Sequence, residues 1–291
     1  MTRGILDRGT AAPGAAPRVK PRPAVFRALG RQEPPDSVDL DGETFRRLEI
    51  LKHDSWAATA IYQSASRKAL CKFNRQQPIL IVPMRWLGRR LAAREQRFMD
   101  LLAGIPGIPS SLGPVRCRGR VLPHAASRAF VEGHALAEQE RLDDGFFPRL
   151  AAILAAVHRR DVAHVDLHKR ENILVDTAGS PHLIDFQISF ALPRRNRIGA
   201  AVLRGMLRVL QQCDEYHLMK HRLRYRPDQA GVTPADLERL RPVWIRLHRC
   251  IAVPFRSLRR RLLTWLGIRS RTGHAHSEAF PEIAHRRAAA A

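Results

Sequence analysis

The chain has 291 residues, of which 45% are hydrophobic, and carries a formal net charge of +23 with a pI near 11.4. This apolar content can fill a buried core, which excludes a disordered polyelectrolyte, and the length fits one large domain or two small lobes. The charge favours polyanionic partners such as nucleotide phosphates, anionic lipid head groups, lipopolysaccharide or nucleic acid. A genome that favours Arg and Ala codons would also explain the charge, so the charge alone assigns no function.

The cysteines and the apolar runs bear on the compartment. Cys71, Cys117, Cys213 and Cys250 form no Cys-x-x-Cys pair and no zinc-finger spacing. A disulfide framework is not expected in a chain of this size, which indicates a reducing compartment. No apolar run approaches the ~18 residues that span a bilayer, and the N-terminal residues contain no continuous apolar segment of a secretory signal. We therefore expect a cytoplasmic protein.

The first part of the chain predicts a tail followed by a strand-rich lobe. Residues 1–36 are rich in Pro, Ala, Gly and Arg and predict a flexible basic tail. A first lobe over residues 37–135 is predicted from short strand patterns, with one helix over 85–105 that Gly104 and Pro106 end. The strand candidates are "WAATAIYQ", "KALCKF", "PVRCRGRVLP" and "SRAFVEG".

Helical patterns dominate a second lobe, predicted over residues 136–240. "FPRLAAILAAVHRRDV" is apolar nearly all round, as a buried helix would be. "NILVD" and "PHLIDF" flank the turn "TAGS" and predict a small hairpin. The fold class is therefore α+β, with a mostly-β first lobe and a mostly-α second lobe. Residues 241–271 predict basic amphipathic helices, and residues 272–291 predict a second flexible tail.

One constellation of polar residues matches the needs of phosphoryl transfer from ATP. The stretch "HVDLHKRENILVD" is followed by "IDFQ". Asp166 in the first stretch could orient the acceptor hydroxyl, while Asn172 and Asp185 could hold Mg²⁺. Lys72 in "KALCKF" could bind the α and β phosphates, and Glu95 in the predicted helix could form an ion pair with Lys72.

These residues resemble the protein kinase-like superfamily over roughly residues 45–225. "HVDLHKRENILVD" is similar to the catalytic loop, "LIDFQ" to the Asp-Phe-Gly segment and "KALCKF" to the Val-Ala-Ile-Lys strand. The resemblance is closest to atypical bacterial members: lipopolysaccharide-core sugar kinases, RIO-like kinases and aminoglycoside phosphotransferases. It implies a two-lobed fold, ATP and Mg²⁺ as cofactors, and the order Lys, Glu, Asp, Asn, Asp of the five site residues.

The sequence departs from the family pattern at several points. Asn172 follows Asp166 by six positions rather than the usual five, so either His168 or Lys169 could approach the γ-phosphate. Gln187 replaces the glycine of the Asp-Phe-Gly segment and indicates a more fixed backbone there. The stretch "LKHDSWAATAIYQ" contains no glycine where a glycine-rich phosphate loop would lie. Between Phe190 and Asp214 there is no Ser, Thr or Tyr, which argues against an activation loop that is switched by phosphorylation.

Each site residue also has an ordinary structural interpretation. Asp166 could cap a loop, Asn172 could be a turn residue, and Lys72 could be a solvated strand lysine. Glu95 could be a surface partner on a charged helix. Asp185 is harder to explain in this way, because an acidic residue directly after "HLI" is costly inside a sheet unless it is used.

The predicted function is transfer of the γ-phosphate of ATP to a hydroxyl group, with a glycolipid sugar of the lipopolysaccharide core as the favoured acceptor. A protein serine or threonine acceptor, as in RIO-like kinases, is the next alternative, and a small-molecule acceptor is third. A pseudokinase scaffold is the non-enzymatic alternative. The basic amphipathic residues 241–271 predict either peripheral contact with an anionic membrane surface or a helix pair packed on the second lobe. Nucleic acid is not expected as a partner.

Overall fold

An antiparallel sheet of seven strands forms the N-terminal half of the fold. The structure is a computed structural model that describes residues 24–79, 82–193 and 199–242. The strand order is β6-β5-β1-β2-β3-β4-β7. The strands are β1 (Ser37–Leu40), β2 (Glu43–His53), β3 (Ala57–Gln63), β4 (Lys68–Asn74), β5 (Arg116–Cys117), β6 (Arg120–Val121) and β7 (Ala125–Ala129).

The two faces of β4 separate the core from the site. Ala69, Cys71 and Phe73 alternate along the strand and are buried in one apolar cluster. Because side chains alternate between faces, Leu70 and Lys72 lie on the opposite face. Lys72 is central in the sheet, since it pairs with Thr59 of β3 on one side and Ala126 of β7 on the other. The strand predictions in "WAATAIYQ" and "KALCKF" are confirmed, whereas the long strand β2 was not predicted.

Helix α1 (Arg85–Leu101) contacts β4 and β7 and confirms the helix that was predicted over 85–105. The helix ends at Leu102, and Gly104 then takes a positive φ of 80°. Its buried residues include Phe98 and Glu95. The only carboxylate on this buried face is therefore Glu95, which faces the sheet that carries Lys72.

The C-terminal half of the described chain is mostly helical. Its helices are α2 (Phe146–Arg159), α3 (Ala200–Tyr225), α4 (Pro227–Ala230) and α5 (Pro234–Arg239). Its strands are β8 (Gly133–Ala135), β9 (Val162–Ala163), β10 (Ile173–Asp176), β11 (Pro181–Leu183) and β12 (Phe190–Ala191). The predicted hairpin is confirmed as β10 and β11, and Asp176 fixes its turn by accepting hydrogen bonds from the N–H groups of Ala178 and Ser180. The α+β class is thus present, with the sheet first and the helices later.

Two predicted boundaries differ from the structure. The tail predicted for residues 1–36 is too long, because residues 24–36 pack on the sheet: Ala28 is fully buried and the Tyr62 hydroxyl donates to the Pro35 carbonyl. Strand β8, assigned to the first lobe by its position, pairs with β10 of the helical half. The predicted tail at 272–291 and nearly all of the predicted amphipathic helices over 241–271 lie outside the described residues.

Candidate active site

Lys72 is the centre of a partly buried cluster of charges that joins the two halves of the chain. Its Nζ donates to Oδ1 of Asp185 at 2.9 Å and lies 3.3 Å from Oε2 of Glu95. The second contact is an ion pair rather than an aligned hydrogen bond. The structure therefore brings together three of the predicted site residues, which come from β4, from α1 and from the segment after β11.

Burial and mutual charge set the ionisation of this cluster. Burial alone would raise the pKa of Asp185, but the charge and the hydrogen bond of Lys72 lower that pKa to about 2. For Lys72, burial acts to lower the pKa, yet the carboxylates of Asp185 and Glu95 hold it above its ordinary value. The pKa of Glu95 is raised because burial outweighs the attraction of Lys72. Asp185 therefore remains an anionic oxygen donor throughout the neutral pH range.

The backbone around Asp185 is held in one conformation by α1 and β4. Asp185 has a positive φ of 63° and precedes a 3-10 turn over Phe186–Ile188. Arg94 of α1 donates to the carbonyl oxygens of Gln187, at 3.2 Å, and Ser189, at 2.6 Å. The Gln187 amide also donates to Oδ1 of Asn74 at 2.9 Å. These bonds attach the segment after Asp185 to α1 and β4.

Asp166 lies in the loop between β9 and β10 and is only 3% exposed. Lys169 Nζ donates to Oδ2 of Asp166 at 2.7 Å, and His168 Nδ1 lies 3.2 Å from Oδ1. Both partners are about half exposed at their side chains. His168 and Lys169, the two side chains that could approach the γ-phosphate, therefore both lie beside Asp166. The extra residue of the loop does not separate either side chain from Asp166.

Asn172 is tied to the same loop and to the Asp185 segment. The side-chain Nδ2 of Asn172 donates to the backbone carbonyl of Asp166 at 3.1 Å. The side-chain oxygen Oδ1 of Asn172 therefore points away from that carbonyl. The backbone carbonyl of Asn172 accepts a hydrogen bond from the Ile184 N–H at 3.0 Å. Asn172 therefore lies beside Ile184, the residue before Asp185. An amide oxygen and an ionised carboxylate are ligands that Mg²⁺ accepts alongside phosphate oxygens.

The chemistry of these donors fits a metal that is held together with a nucleotide. Within the described residues, no group of three or more His, Cys, Asp or Glu side chains could hold a metal ion. A site built from one carboxylate and one amide needs further oxygens, which nucleotide phosphates supply. The arrangement therefore suits a phosphate-bound Mg²⁺ better than a metal held by protein ligands alone.

A buried carboxylate that was not predicted holds the loop of Asp166. Asp214 on α3 has a fully buried side chain and accepts the N–H groups of His164, at 2.7 Å, and Val165, at 2.8 Å. Val165 has a positive φ of 71°, which is costly for a β-branched residue. The two bonds to Asp214 hold this strained backbone directly before Asp166. The sequence contains one signal for this role: Asp214 follows Leu207 by seven positions, a spacing that places both residues on the same face of the helix. An acidic residue on the buried face of a helix indicates a buried polar contact.

The turn between β2 and β3, where a phosphate loop would be expected, uses three of its backbone N–H groups in internal hydrogen bonds. The N–H groups of Trp56 and Ala57 donate to Oδ1 of Asp54 at 2.7 and 2.9 Å. The Asp54 N–H donates to the Ala57 carbonyl. Phosphate binding would therefore rest on Lys72 and a metal, rather than on the backbone of this turn.

An apolar cluster lies on the same face of the sheet as Lys72. It consists of Leu51, Ile61 and Leu70, with Phe130 packed against it. Leu70 is two residues before Lys72 on β4, so both side chains point to the same side. The three core side chains of this cluster are at most 7% exposed.

Comparison of the chain with models of protein families and with curated proteins found no match. Within the described part of the chain, none of the helices has the length and apolar character required to cross a bilayer.

Proposed function

We propose that this chain is an ATP- and Mg²⁺-dependent phosphotransferase with a two-lobed protein kinase-like fold. The observation that carries the proposal is the convergence of Lys72, Glu95 and Asp185 from three separate elements, beside a loop that holds Asp166 and Asn172. A lysine that is largely withdrawn from solvent between two carboxylates is costly to desolvate. Such a cluster is most readily explained by a functional site.

Each residue has a chemical task in this proposal. Lys72, fixed by Glu95, binds the α and β phosphates of ATP. Asp185 and Asn172 hold Mg²⁺, which neutralises charge on the phosphates when it is bound. Asp166 accepts the hydrogen bond of the acceptor hydroxyl and orients it for in-line attack. Lys169 and His168, which lie beside Asp166, stabilise charge on the transferred phosphoryl group in this proposal.

The favoured acceptor is a hydroxyl of a glycolipid sugar, such as a sugar of the lipopolysaccharide core, at the cytoplasmic face of a membrane. The support for this choice is the resemblance to lipopolysaccharide-core sugar kinases, together with the basic amphipathic residues 241–271. The net charge of +23 is compatible with an acceptor that carries phosphates or other anionic groups. A serine or threonine of a protein, as in RIO-like kinases, is the alternative acceptor.

A pseudokinase scaffold is the second candidate function, and two observations favour it. Asp54 uses the backbone N–H groups of the turn that would cover the phosphates. The side chains of Leu51, Ile61 and Leu70, on the same face of the sheet as Lys72, are almost fully buried, so a nucleotide bound on this face would have to displace part of the cluster.

The test is transfer of radiolabel from [γ-³²P]ATP by the purified full chain, added with Mg²⁺ to a lysate of its own host. Glycolipid and protein fractions are then separated. Asp166→Asn is compared with Asp100→Asn, because Asp100 is an exposed aspartate on α1. We expect label in the glycolipid fraction with wild-type protein and Asp100→Asn, and a loss of at least about 100-fold with Asp166→Asn.

If the protein fraction is labelled, and if this labelling is lost with Asp166→Asn, the acceptor is a serine or threonine of a protein rather than a glycolipid sugar. Equal labelling by the wild-type and Asp166→Asn chains in every fraction would refute the enzymatic proposal and leave the scaffold.

A further inference from the structure

A cavity of about 610 Å³ lies beside the end of β4, apart from the candidate active site. Its lining comes from the segment before β1, the chain after β4, the start of α1 and the chain after β6. Phe73 lines the cavity and belongs to the buried cluster on one face of β4, whereas the side chain of Lys72 lies on the other face. Cavities that bind small molecules have volumes of roughly 300–1,000 Å³. The cavity is therefore large enough for a ligand of its own.

The wall of the cavity combines apolar side chains with one imidazole. Leu29 and Phe73 are almost fully buried, and Leu122 is partly exposed. The ring of His124 lies 6.3 Å from the ring of Phe73, between their centroids, and makes no hydrogen bond to another described residue. Burial, and then the charge of Arg89, lowers the pKa of His124 to about 4. The imidazole is therefore neutral near pH 7 and offers one hydrogen-bond donor and one acceptor.

Two arginines give the cavity a positive charge. Arg31 and Arg85 both line the cavity and are exposed. Within the part of the chain that the structure describes, neither arginine forms an ion pair with a carboxylate. Glu33, the carboxylate among the described lining residues, is already paired with Arg27 and lies 3.4 Å from Nδ1 of His53. The charge of the two arginines is thus left uncompensated.

We propose that this cavity binds a small aromatic molecule that carries an anionic group. The aromatic part packs against Phe73 and Leu122, where it is removed from water. The anionic group accepts charge-assisted hydrogen bonds from Arg31 and Arg85. His124 exchanges a hydrogen bond with a polar atom of the ligand. Apolar walls with a few convergent polar groups are the usual composition of small-molecule sites.

Charge separates this ligand from other occupants of the cavity. Residues 1–23, which precede the lining residue Ala24, are basic overall, and Asp7 is their only acidic residue. Placed in the cavity, they would bring further positive charge against Arg31 and Arg85. A purely apolar molecule would shield the two arginines and His124 from water without giving them partners, which is costly. An aromatic anion satisfies both the apolar and the charged parts of the wall.

The test uses anilinonaphthalene sulfonate, an aromatic anion, and its uncharged counterpart N-phenylnaphthylamine, which lacks the sulfonate. Binding of each probe to the purified full chain is followed by fluorescence, without ATP. We expect saturable binding of the sulfonate at one site per chain, and binding of the uncharged probe that is about tenfold weaker or worse.

Two variants change the cavity in different ways. Arg31→Gln/Arg85→Gln removes its charge, and Leu122→Trp fills part of its volume. Each should weaken binding of the sulfonate by about tenfold or more. The control is Arg90→Gln/Arg97→Gln, which removes two exposed arginines of α1 that do not line the cavity and should bind as the wild type does.

Thermal melting of each variant without probe separates binding from folding. Weaker binding of the sulfonate with unchanged melting supports the proposal. If Leu122→Trp melts at a lower temperature, the arginine variant decides alone, since its two side chains are exposed. Wild-type affinity of the arginine variant would overturn the proposal. So would equal weakening in the control, which would assign the attraction to the overall charge, or equal affinity for the two probes. Absence of saturable binding to the wild type would overturn it as well. The cavity and Lys72 lie on different faces of β4, so failure here leaves the proposed phosphotransferase untouched.

Discussion

At the scale of single residues, Asp214 sets the conformation of the loop that carries Asp166. Its two carboxylate oxygens accept the N–H groups of His164 and Val165, and Oδ2 also lies 3.3 Å from Nε2 of His158. The side chain has no exposed surface. These bonds stabilise the positive φ at Val165.

We expect the isosteric change Asp214→Asn to destabilise the protein by about 1–3 kcal/mol. An asparagine presents one NH₂ group in place of a carboxylate oxygen, so at least one buried backbone N–H loses its acceptor. Urea unfolding measures the effect. Glu215→Gln is the matched control, because Glu215 is the exposed neighbour on the same helix. Equal stability of Asp214→Asn and wild type would show that the two hydrogen bonds do not stabilise the loop.

Asp185 should make the stability of the protein depend on pH in the acid range. Its folded-state pKa is about 2, below its ordinary value of 3.8, because Lys72 outweighs the effect of burial. A lowered folded-state pKa adds stability that is present above pH ~4 and is lost as the pH falls toward ~2. The Asp185→Asn variant has no carboxyl group at this position and therefore lacks this pH-dependent contribution to stability.

The comparison is the free energy of unfolding of wild type and Asp185→Asn, measured in urea at pH 6 and pH 3. We expect the difference between the two proteins to shrink by roughly half at the lower pH. Glu215→Gln, run beside them, should show no such change in its difference from wild type. A difference that is the same at both pH values would mean that Asp185 does not form a stabilising ion pair with Lys72.

At the scale of elements, the position of α1 depends on a close approach between the helix and the chain after β4. A Cβ atom on Gly88 would lie 2.3 Å from the carbonyl oxygen of Arg75, which belongs to the backbone and cannot move aside easily. Gly205 is a glycine on α3 with no atom within 4 Å of the corresponding position. A side chain at position 88 would therefore collide with the backbone, whereas a side chain at position 205 would not.

Gly88→Ala and Gly205→Ala should shift stability in opposite directions. Gly88→Ala is expected to destabilise by about 1–3 kcal/mol, because α1 must move away from the sheet. Gly205→Ala is expected to stabilise by about 0.5–1 kcal/mol, because alanine favours a helix interior. Thermal melting of both variants measures the shifts. Stabilisation by Gly88→Ala would show that α1 does not pack against Arg75 as the structure places it.

At the scale of the whole molecule, the polar contacts around Asp185 connect the sheet half to the helical half. Lys72, Asn74 and Arg94 lie in the first half, and their partners Asp185, Gln187 and Ser189 lie in the second. A ligand that binds Lys72 and Asp185 together would therefore stabilise both halves at once.

We expect Mg²⁺-ATP to raise the melting temperature of the full chain. A ligand at 100 times its Kd adds about 2.7 kcal/mol when it binds only the folded state. Lys72→Met should abolish the shift, because the phosphates lose their cation. Lys68→Met is the control, since Lys68 lies on the same strand and pairs with Glu132. The same Mg²⁺-ATP shift in Lys72→Met and wild type would place nucleotide binding elsewhere.

The amino-acid sequence by itself determined the local elements and the candidate site residues. Short apolar stretches joined by a polar turn predicted β3 and β4, and helical spacing predicted α1. A stretch that is apolar nearly all round predicted α2, and turn residues predicted the hairpin of β10 and β11. These features depend on neighbours within a few residues, so local patterns are sufficient. The resemblance of the Asp166 loop and of the segment after it to the protein kinase-like pattern also selected Asn172 and Asp185.

Only the tertiary structure decided which distant groups meet. Lys72 and Asp185 are 113 residues apart in the chain, and their contact depends on how both halves pack. Asp214 and Arg94 act through hydrogen bonds to backbone groups of other elements. Every residue type carries such backbone groups, so these partners cannot be read from the sequence. The packing of residues 24–36 on the sheet likewise depends on a long-range contact, from Tyr62 to Pro35. Contacts of this kind form because buried polar groups must find partners, wherever the fold supplies them.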